Sequence, residues 1–314
     1  MKFSVLRQIA SQFSPPTTAE EHARLMKYLQ SSGFDISSFY QEIEMTSAYV
    51  DTHRDVSYSS QTLSLHSHAF WEILFCSSCQ DMEYLVGTQR YKLQQGDVII
   101  VAPGVSHMPL FPEKLEVPYK RYALWLSPAF LELMGSLVPE TVSAGIPQFS
   151  LLRTAGTPFE YIEEFFRTGV KEAERRLPNY EAAIIGNTVT LLTHITRAFL
   201  AQGTKHSRAE KPKLLDRVLS YIEARLSQRI TLEETARHFF VSESTIQQTF
   251  RQKLGTSFYR CVTQRRLIAA KTMIAQGMSL EGVSRAVGFS DYSSFYRAFK
   301  KEYGITPRQF TRLQ

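Results

Sequence analysis

Cysteine is scarce in this sequence, and long hydrophobic runs are absent. Three cysteines among 314 residues are a small and odd number, which argues against a disulfide scaffold and favours a reducing compartment such as the cytoplasm. Apolar runs fall short of the roughly 20 residues that cross a bilayer, so we predict no membrane span. The opening stretch, MKFSVLRQIASQF, lacks the apolar core and small-residue cleavage site of a secretory signal, so we expect no signal peptide.

Positive charge is concentrated in the last third of the chain. Residues 211–314 hold 18 Lys and Arg against 8 Asp and Glu, whereas the remainder holds 18 against 22. A basic domain on a mildly acidic body is typical of proteins that bind nucleic acid. A solvated basic surface without such a partner is the alternative.

Changes in composition predict five segments and a multidomain protein of mixed α and β class. Residues 1–60 form an extension with a short helix in TAEEHARLMKYLQSSG. Short β-branched and aromatic runs, split by GTQ, QQGD and APG, predict a β-rich domain over 61–127. Amphipathic helices follow in 128–202, the polar stretch 203–211 is a linker, and 212–314 is helical.

One helix of the 128–202 segment has an unusually wide apolar face. Helical spacing aligns Ile184, Ile185, Val189, Leu192, Ile195 and Phe199. Packing within the monomer would explain this face, and a dimer contact is the alternative. We predict a homodimer formed through this segment.

The C-terminal segment nearly repeats itself. ITLEETARHFFVSESTIQQTFRQKLGTSF is echoed by MSLEGVSRAVGFSDYSSFYRAFKKEYGITP. Each copy has the pattern of a short helix, a tight turn and a second helix, which is the helix-turn-helix unit whose second helix enters the DNA major groove. Gly288 supplies the second turn, Phe240 occupies the equivalent place in the first, and Ser242 and Ser290 or Asp291 are suitable N-caps. A helical bundle with a polar surface is the alternative.

Helical spacing separates an outer face from a core face on each second helix. The outer residues of the first copy are Ser244, Gln247, Gln248 and Arg251. Those of the second copy are Tyr292, Ser293, Arg297 and Lys300. Gln and Arg make bidentate contacts with adenine and guanine edges, so we predict that these residues contact double-stranded DNA.

This block resembles the AraC/XylS family of bacterial transcription regulators from Leu214 to Gln314, most specifically at AVGFSDYSSFYRAFKKEYGITPRQF. The resemblance implies two helix-turn-helix units, joined by a rigid helix, that act with RNA polymerase. By position, it implies base-reading roles for Ser244, Gln247, Gln248, Tyr292, Ser293 and Arg297. The HFF before Val241 departs from the family's small-residue turn.

Histidines form a second motif, in LHSHAFWEILF and GDVIIVAPGVSH. On a strand, the even-numbered His66, His68 and Glu72 would share one face. Together the stretches resemble the cupin motifs, although Ala102 replaces a proline and Cys79 stands near the closing glycine of the first motif. The resemblance implies an effector-binding β-barrel and puts His66, His68, Glu72 and His107 at the metal-ligand positions of metal-binding cupins.

Three uses of these residues stay open: ligand contact, a divalent metal, and catalysis. We predict ligand contact by His66, His68, Glu72, Trp71 and His107, with no catalytic residue and no cofactor. A metal held by His66, His68, Glu72 and His107 is the alternative. We expect the site to point into a closed barrel, separated from the DNA-reading helices by two helices and a linker.

The expected function is a cytoplasmic, sequence-specific transcription activator that responds to a small polar ligand such as a sugar. The main alternative is a metal-dependent cupin enzyme with an appended DNA-binding domain. An architectural DNA-binding protein with a ligand-free barrel is the third.

Overall fold

The computed structural model describes residues 45–58, 65–137, 149–202 and 212–312. The predicted helix of the N-terminal extension and the 203–211 linker lie outside these ranges. Within them, β-sheets are followed by a helical segment and then by an all-helical C-terminal part, which confirms the mixed α and β class. No helix in the described ranges combines the length and apolar character needed to cross a membrane.

In the described ranges, eight strands form two antiparallel sheets. The strands are β1 (Val50–Ser57), β2 (Trp71–Ser78), β3 (Glu83–Val86), β4 (Gln89–Lys92), β5 (Asp97–Val101), β6 (His107–Leu110), β7 (Tyr119–Leu126) and β8 (Phe149–Arg153). The larger sheet has the order β1-β7-β2-β5-β8, and the smaller has the order β4-β3-β6.

The predicted closed barrel is not formed by the described strands, because no strand of one sheet pairs with a strand of the other. The larger sheet also extends beyond the predicted β-rich range of 61–127. It includes β1 from the predicted extension and β8 from the predicted helical segment. These strands pair with residues distant in sequence, as Val50 does with Leu126. Such long-range partners leave no local pattern in the sequence.

Three of the described helices precede or follow β8: α1 (Pro128–Leu137), α2 (Ile162–Arg175) and α3 (Tyr180–Gln202). They cover one face of the larger sheet and share a hydrophobic core with it. The apolar residues that we assigned to a dimer face belong to this core. Ile184, Leu192 and Ile195 are buried in it, and Ile185, Val189 and Phe199 pack against it half-buried. Packing within the chain therefore explains the wide apolar face, and the dimer stays a prediction.

The C-terminal part contains seven described helices. They are α4 (Leu214–Glu223), α5 (Leu232–Phe239), α6 (Glu243–Leu254), α7 (Phe258–Ala275), α8 (Leu280–Ala286), α9 (Tyr292–Tyr303) and α10 (Pro307–Thr311). The pairs α5–α6 and α8–α9 each consist of a short helix, a tight turn and a second helix, as the predicted units do, and α7 connects the two units. Ser242 caps α6 by accepting the Thr245 amide at 3.1 Å. Asp291, not Ser290, caps α9 by accepting the Ser294 amide at 2.7 Å.

The turns of the two units have the same backbone conformation but different residues. Both adopt the left-handed conformation, with φ of 84° at Gly288 and 55° at Phe240. A Cβ atom on Gly288 would lie 2.1 Å from the Leu226 carbonyl oxygen, so only glycine fits there. The Phe240 side chain is 96% exposed, so few contacts offset the cost of roughly 1 kcal/mol for a non-glycine residue in this conformation.

We expect Phe240→Gly to raise the free energy of unfolding by about 0.5–1 kcal/mol, because it relieves the left-handed strain. Gly288→Ala, at the equivalent turn position, should lower it by about 2 kcal/mol or more through the carbonyl clash. Urea unfolding of both variants measures the difference. A loss of stability in Phe240→Gly would instead reveal a stabilising contact of the exposed ring.

Candidate functional site

The outer faces of α6 and α9 have the polar character that the sequence predicted. Ile246, Phe250, Phe295 and Phe299 are completely buried. The exposed residues of these faces are Ser244, Gln247, Gln248, Arg251, Ser293, Arg297 and Lys300. Tyr292 differs, because it is half-buried with its ring 5.9 Å from that of Phe295. Its ring is thus partly used in packing.

The histidine motif builds a buried polar cluster. His66, His68, Glu72 and His107 are each at most 7% exposed. The Nε2 atoms of His68 and His107 lie 3.7 and 3.0 Å from Glu72 Oε2. Trp125 Nε1 donates to Glu72 Oε1 at 2.9 Å. Glu72 is therefore a buried acid with several partners.

Hydrogen bonds fix the orientation of both imidazoles. Nδ1 of His68 lies 2.8 Å from the Phe70 carbonyl oxygen, and Nδ1 of His107 lies 2.8 Å from that of Val105. Each Nδ1 must carry the proton, since a carbonyl oxygen can only accept. In the neutral tautomer, Nε2 then presents a lone pair. Among the described residues, no donor faces either Nε2 atom.

Two lone pairs therefore face a carboxylate, and this arrangement needs a positive charge. Burial raises the pKa of Glu72, but its contacts with His107 and His68 outweigh burial and hold that pKa well below its usual range. Burial lowers the pKa of His68, and Glu72 opposes this effect. A proton on one Nε2 or a metal ion between the three groups would supply the charge.

The residues present fit a divalent metal. Ligand atoms of His68, Glu72 and His107 lie within 4.8 Å of one another. Two imidazoles and a carboxylate are a common donor set for Zn²⁺ and Fe²⁺. Bonds from Nδ1 to backbone carbonyls are also the usual way of orienting metal-binding histidines.

His66 and Trp71 do not join this set. His66 precedes β2 and forms an isolated bridge with His107, so the parity of a continuous strand does not apply to it. Trp71 is the first residue of β2, and its side chain packs against the core under the helices, not beside the histidines. The tryptophan that contacts the cluster is Trp125, because the pairing of β2 with β7 aligns it with Glu72. No local sequence signal gives that register.

The expected separation from the DNA-reading helices is wrong. Leu65, His66 and Ser67 line a small cavity together with Gln264 and Ile268 of α7 and Glu302 and Tyr303 of α9. The histidine segment therefore contacts the helix that joins the two units and the second helix of the second unit.

The smaller sheet is attached to α4, the helix that precedes the first helix-turn-helix unit. Arg90 of β4 is 2% exposed and binds Asp216 of α4 through two hydrogen bonds, Nε to Oδ1 at 2.6 Å and Nη2 to Oδ2 at 2.9 Å. Its Nη1 donates to Glu83 at 2.6 Å. Around this pair, Leu85, Met108 and Leu110 share one hydrophobic cluster with apolar residues of the C-terminal helices.

A second arginine strengthens the same junction from α7. Arg265 is 2% exposed, and its Nη2 donates to the Gly87 carbonyl oxygen at 2.7 Å. Its Nη1 binds Glu223 at 2.7 Å. This basic residue is therefore used inside the protein and not on a DNA-facing surface.

Comparison with known proteins places the C-terminal part in a class. A family model described as a helix-turn-helix domain matches residues 235–313. The regulatory protein PocR of Salmonella typhimurium is 27% identical over 35% of this chain and 37% of its own length. The activator RhaS of Salmonella dublin is 24% identical over 77% of this chain and 85% of its own. The chain thus spans about a third of PocR and most of RhaS.

A solved structure, the C-terminal domain of the response regulator AraT from Geobacillus stearothermophilus, is 28% identical. The structural match covers 33% of this chain and 87% of the AraT domain, with a TM-score of 0.32. The two duplicated turns and the matched domain define a helix-turn-helix protein. Over residues 235–313 the chain carries a helix-turn-helix domain of the AraC type, which confirms the resemblance at the C-terminus. The cupin resemblance at the N-terminus stays a prediction.

We expect Arg90→Ala to open the junction, because it leaves Asp216 buried without its counter-charge. Such a loss costs about 3–5 kcal/mol. Hydrogen exchange should accelerate in β4 and α4, while α8 and α9 stay protected.

The double variant Arg90→Met with Asp216→Leu is the control, because an apolar pair removes both charges and should regain most of the stability. Equal destabilisation of the single and double variants would contradict this account of the junction.

Proposed function

We propose that this protein is a sequence-specific transcription activator that binds DNA through α6 and α9 and responds to a small polar ligand at the histidine cluster. The observation that carries the proposal is the junction, where the part that holds the cluster packs directly against the AraC-type domain. As a regulator of transcription, it acts in the cytoplasm as a homodimer and with RNA polymerase.

DNA contact is supported by the polar outer faces and by their charge. Gln247, Gln248 and Arg297 are exposed, and they carry the donors that recognise adenine and guanine. Arg251 and Lys300 lie on the same faces and supply charge for phosphates. Because α7 joins the units, each second helix can enter its own major-groove segment.

Ligand response is supported by the chemistry of the cluster. Glu72 is a charged acceptor, and the two Nε2 atoms are further acceptors, so the cluster suits a ligand that offers several hydroxyl or amino donors. A sugar has this pattern, which agrees with the expected class of effector.

A short path links the cluster to the junction. His107 of β6 pairs with Val86 of β3, and Leu85 of β3 pairs with Arg90 of β4. A ligand that moves His107 therefore acts on a strand adjacent to the Arg90–Asp216 pair. Binding can alter DNA affinity only if the ligand favours one domain arrangement over another.

A metal-binding cluster is the second candidate, favoured by the two Nε2 atoms that lack a donor. His68, Glu72 and His107 would hold the ion, and its charge would balance their lone pairs. The relatives are named as a regulatory protein and as transcriptional activators, which points away from the alternative of a metal-dependent enzyme.

For DNA contact, we expect Arg297→Ala to weaken a selected binding site by about 1–3 kcal/mol and to relax preference at one base pair. Gln247→Ala should do the same in the other half of the site. Lys300→Ala is the matched control. It should weaken binding to all DNA sequences alike and make the affinity less dependent on salt concentration. Fluorescence anisotropy measures the affinity of each variant for the selected duplex and for a random duplex. Equal loss on both duplexes for Arg297→Ala would refute a base-reading role.

For the cluster, metal analysis of the purified protein separates the two candidates. A metal site predicts about one equivalent of a divalent ion, lost in His68→Ala and retained in His66→Ala, because only the former belongs to the three-ligand set.

A ligand site without metal predicts no bound ion after reconstitution with Zn²⁺ or Fe²⁺. His107→Ala should then remove the thermal shift caused by an active sugar and leave DNA affinity unchanged without that sugar. A sugar-induced shift that persists in His107→Ala would exclude the cluster as the sensor.

A further inference from the structure

A groove lies beside the junction, between the β3–β4 hairpin and the first helix-turn-helix unit. Its walls include Gln89 and Arg90 from the hairpin and Arg217, Tyr221 and Phe239 from α4 and α5. The groove encloses about 610 Å³, a volume that accommodates a small organic molecule. None of the four residues of the histidine cluster lines it.

The groove carries uncompensated positive charge. Asp216 is the acidic residue among those that line it, and both of its oxygens are bound by Arg90. Arg217 and Arg225 also line the groove, and within the described ranges no carboxylate lies within ion-pair distance of either. An anion that entered the groove would therefore meet two guanidinium groups and no competing acid.

Aromatic rings hold these guanidinium groups in place. The Arg217 guanidinium lies 5.7 Å from the centre of the Phe239 ring, and that of Arg225 lies 4.1 Å from the centre of the Tyr221 ring. The rings of Tyr221 and Phe239 lie 5.6 Å apart, and that of His238 contacts both, 4.7 Å from Tyr221 and 4.8 Å from Phe239. A guanidinium near a ring face keeps N–H groups at its edge, which can donate to an oxyanion.

We propose that this groove is a second ligand site, which takes a small aromatic molecule bearing a carboxylate or a phosphate. The oxyanion binds Arg217 and Arg225, and the flat body lies in the groove beside Tyr221 and Phe239. Because the hairpin forms the opposite wall, the ligand contacts both domains at once. This site is independent of whatever the histidine cluster binds.

The test uses phenylacetate and phenyl phosphate as probes, with phenylacetamide as the uncharged match of the former. Isothermal titration calorimetry of the full-length protein should detect binding of at least one of the two anions at millimolar concentration. If phenylacetate binds, phenylacetamide should bind at least about tenfold more weakly. If only phenyl phosphate binds, the neutral match is phenol. Failure of both anions to bind, or equal affinity for an anion and its neutral match, would overturn the proposal.

Variants locate the binding. Arg217→Ala combined with Arg225→Ala should lower the affinity for the bound anion by about tenfold or more. Arg229→Ala is the matched control, because Arg229 is exposed on the following loop and does not line the groove. Tyr221→Leu should lower affinity while preserving the preference for the anion. Unchanged binding in the double arginine variant would show that the anion binds elsewhere.

DNA backbone is the competing occupant of a basic surface, and the same double variant distinguishes it. With no probe present, the proposal requires that this variant bind random duplex DNA with the affinity and salt slope of the parent protein. A weaker affinity with a smaller salt slope would make the groove a phosphate-contacting surface and would overturn the proposal.

Discussion

The arrangement of the domains depends on one buried ion pair, that between Arg90 and Asp216. Removing two charges from water is expensive, and the cost is recovered only when both partners meet with good geometry. The pair meets this condition with two hydrogen bonds of 2.6 and 2.9 Å. A partial separation would leave both charges desolvated and unpaired. The junction therefore favours two states, closed or fully hydrated, over a continuum of intermediate ones, and this is the property that a switch requires.

The histidine cluster has the complementary property, because its charge balance depends on what occupies it. Glu72 is buried and anionic, and the lone pairs of two imidazoles face it. A proton, a metal ion or a ligand with several hydrogen-bond donors can each balance these acceptors, and each requires a different arrangement of the three side chains. Since His107 lies on β6, one strand from β3 and two from Arg90, a change in geometry reaches the ion pair through the main-chain pairing of three short strands. No long-range pathway is needed.

The sequence was sufficient where periodicity decides the structure and insufficient where tertiary pairing does. Helical spacing identified the exposed positions of Gln247 and Arg297, because each position on a helix follows from its neighbours. Strand parity did not predict the position of His66, because this residue lies in an irregular segment. The contact of Trp125 with Glu72 could not be predicted either, because it depends on the register of two strands. The junction was also invisible, because Arg90 and Asp216 are 126 residues apart. The closed barrel was an inference from motif resemblance, and two sheets replace it.

The two helix-turn-helix units are not equivalent in their attachment. Arg90 links the smaller sheet to α4, which precedes the first unit, and Arg265 links α7, which follows that unit, to the Gly87 carbonyl oxygen between β3 and β4. The second unit meets the N-terminal part at the cavity lined by His66 and Ser67. The first unit also contains the strained turn at Phe240, while Gly288 gives the second an unstrained one. Because α7 connects the units rigidly, releasing the first unit from the sheet would move both as one body. Ligand control of the junction would therefore change the position of the whole C-terminal domain and leave the spacing of α6 and α9 intact.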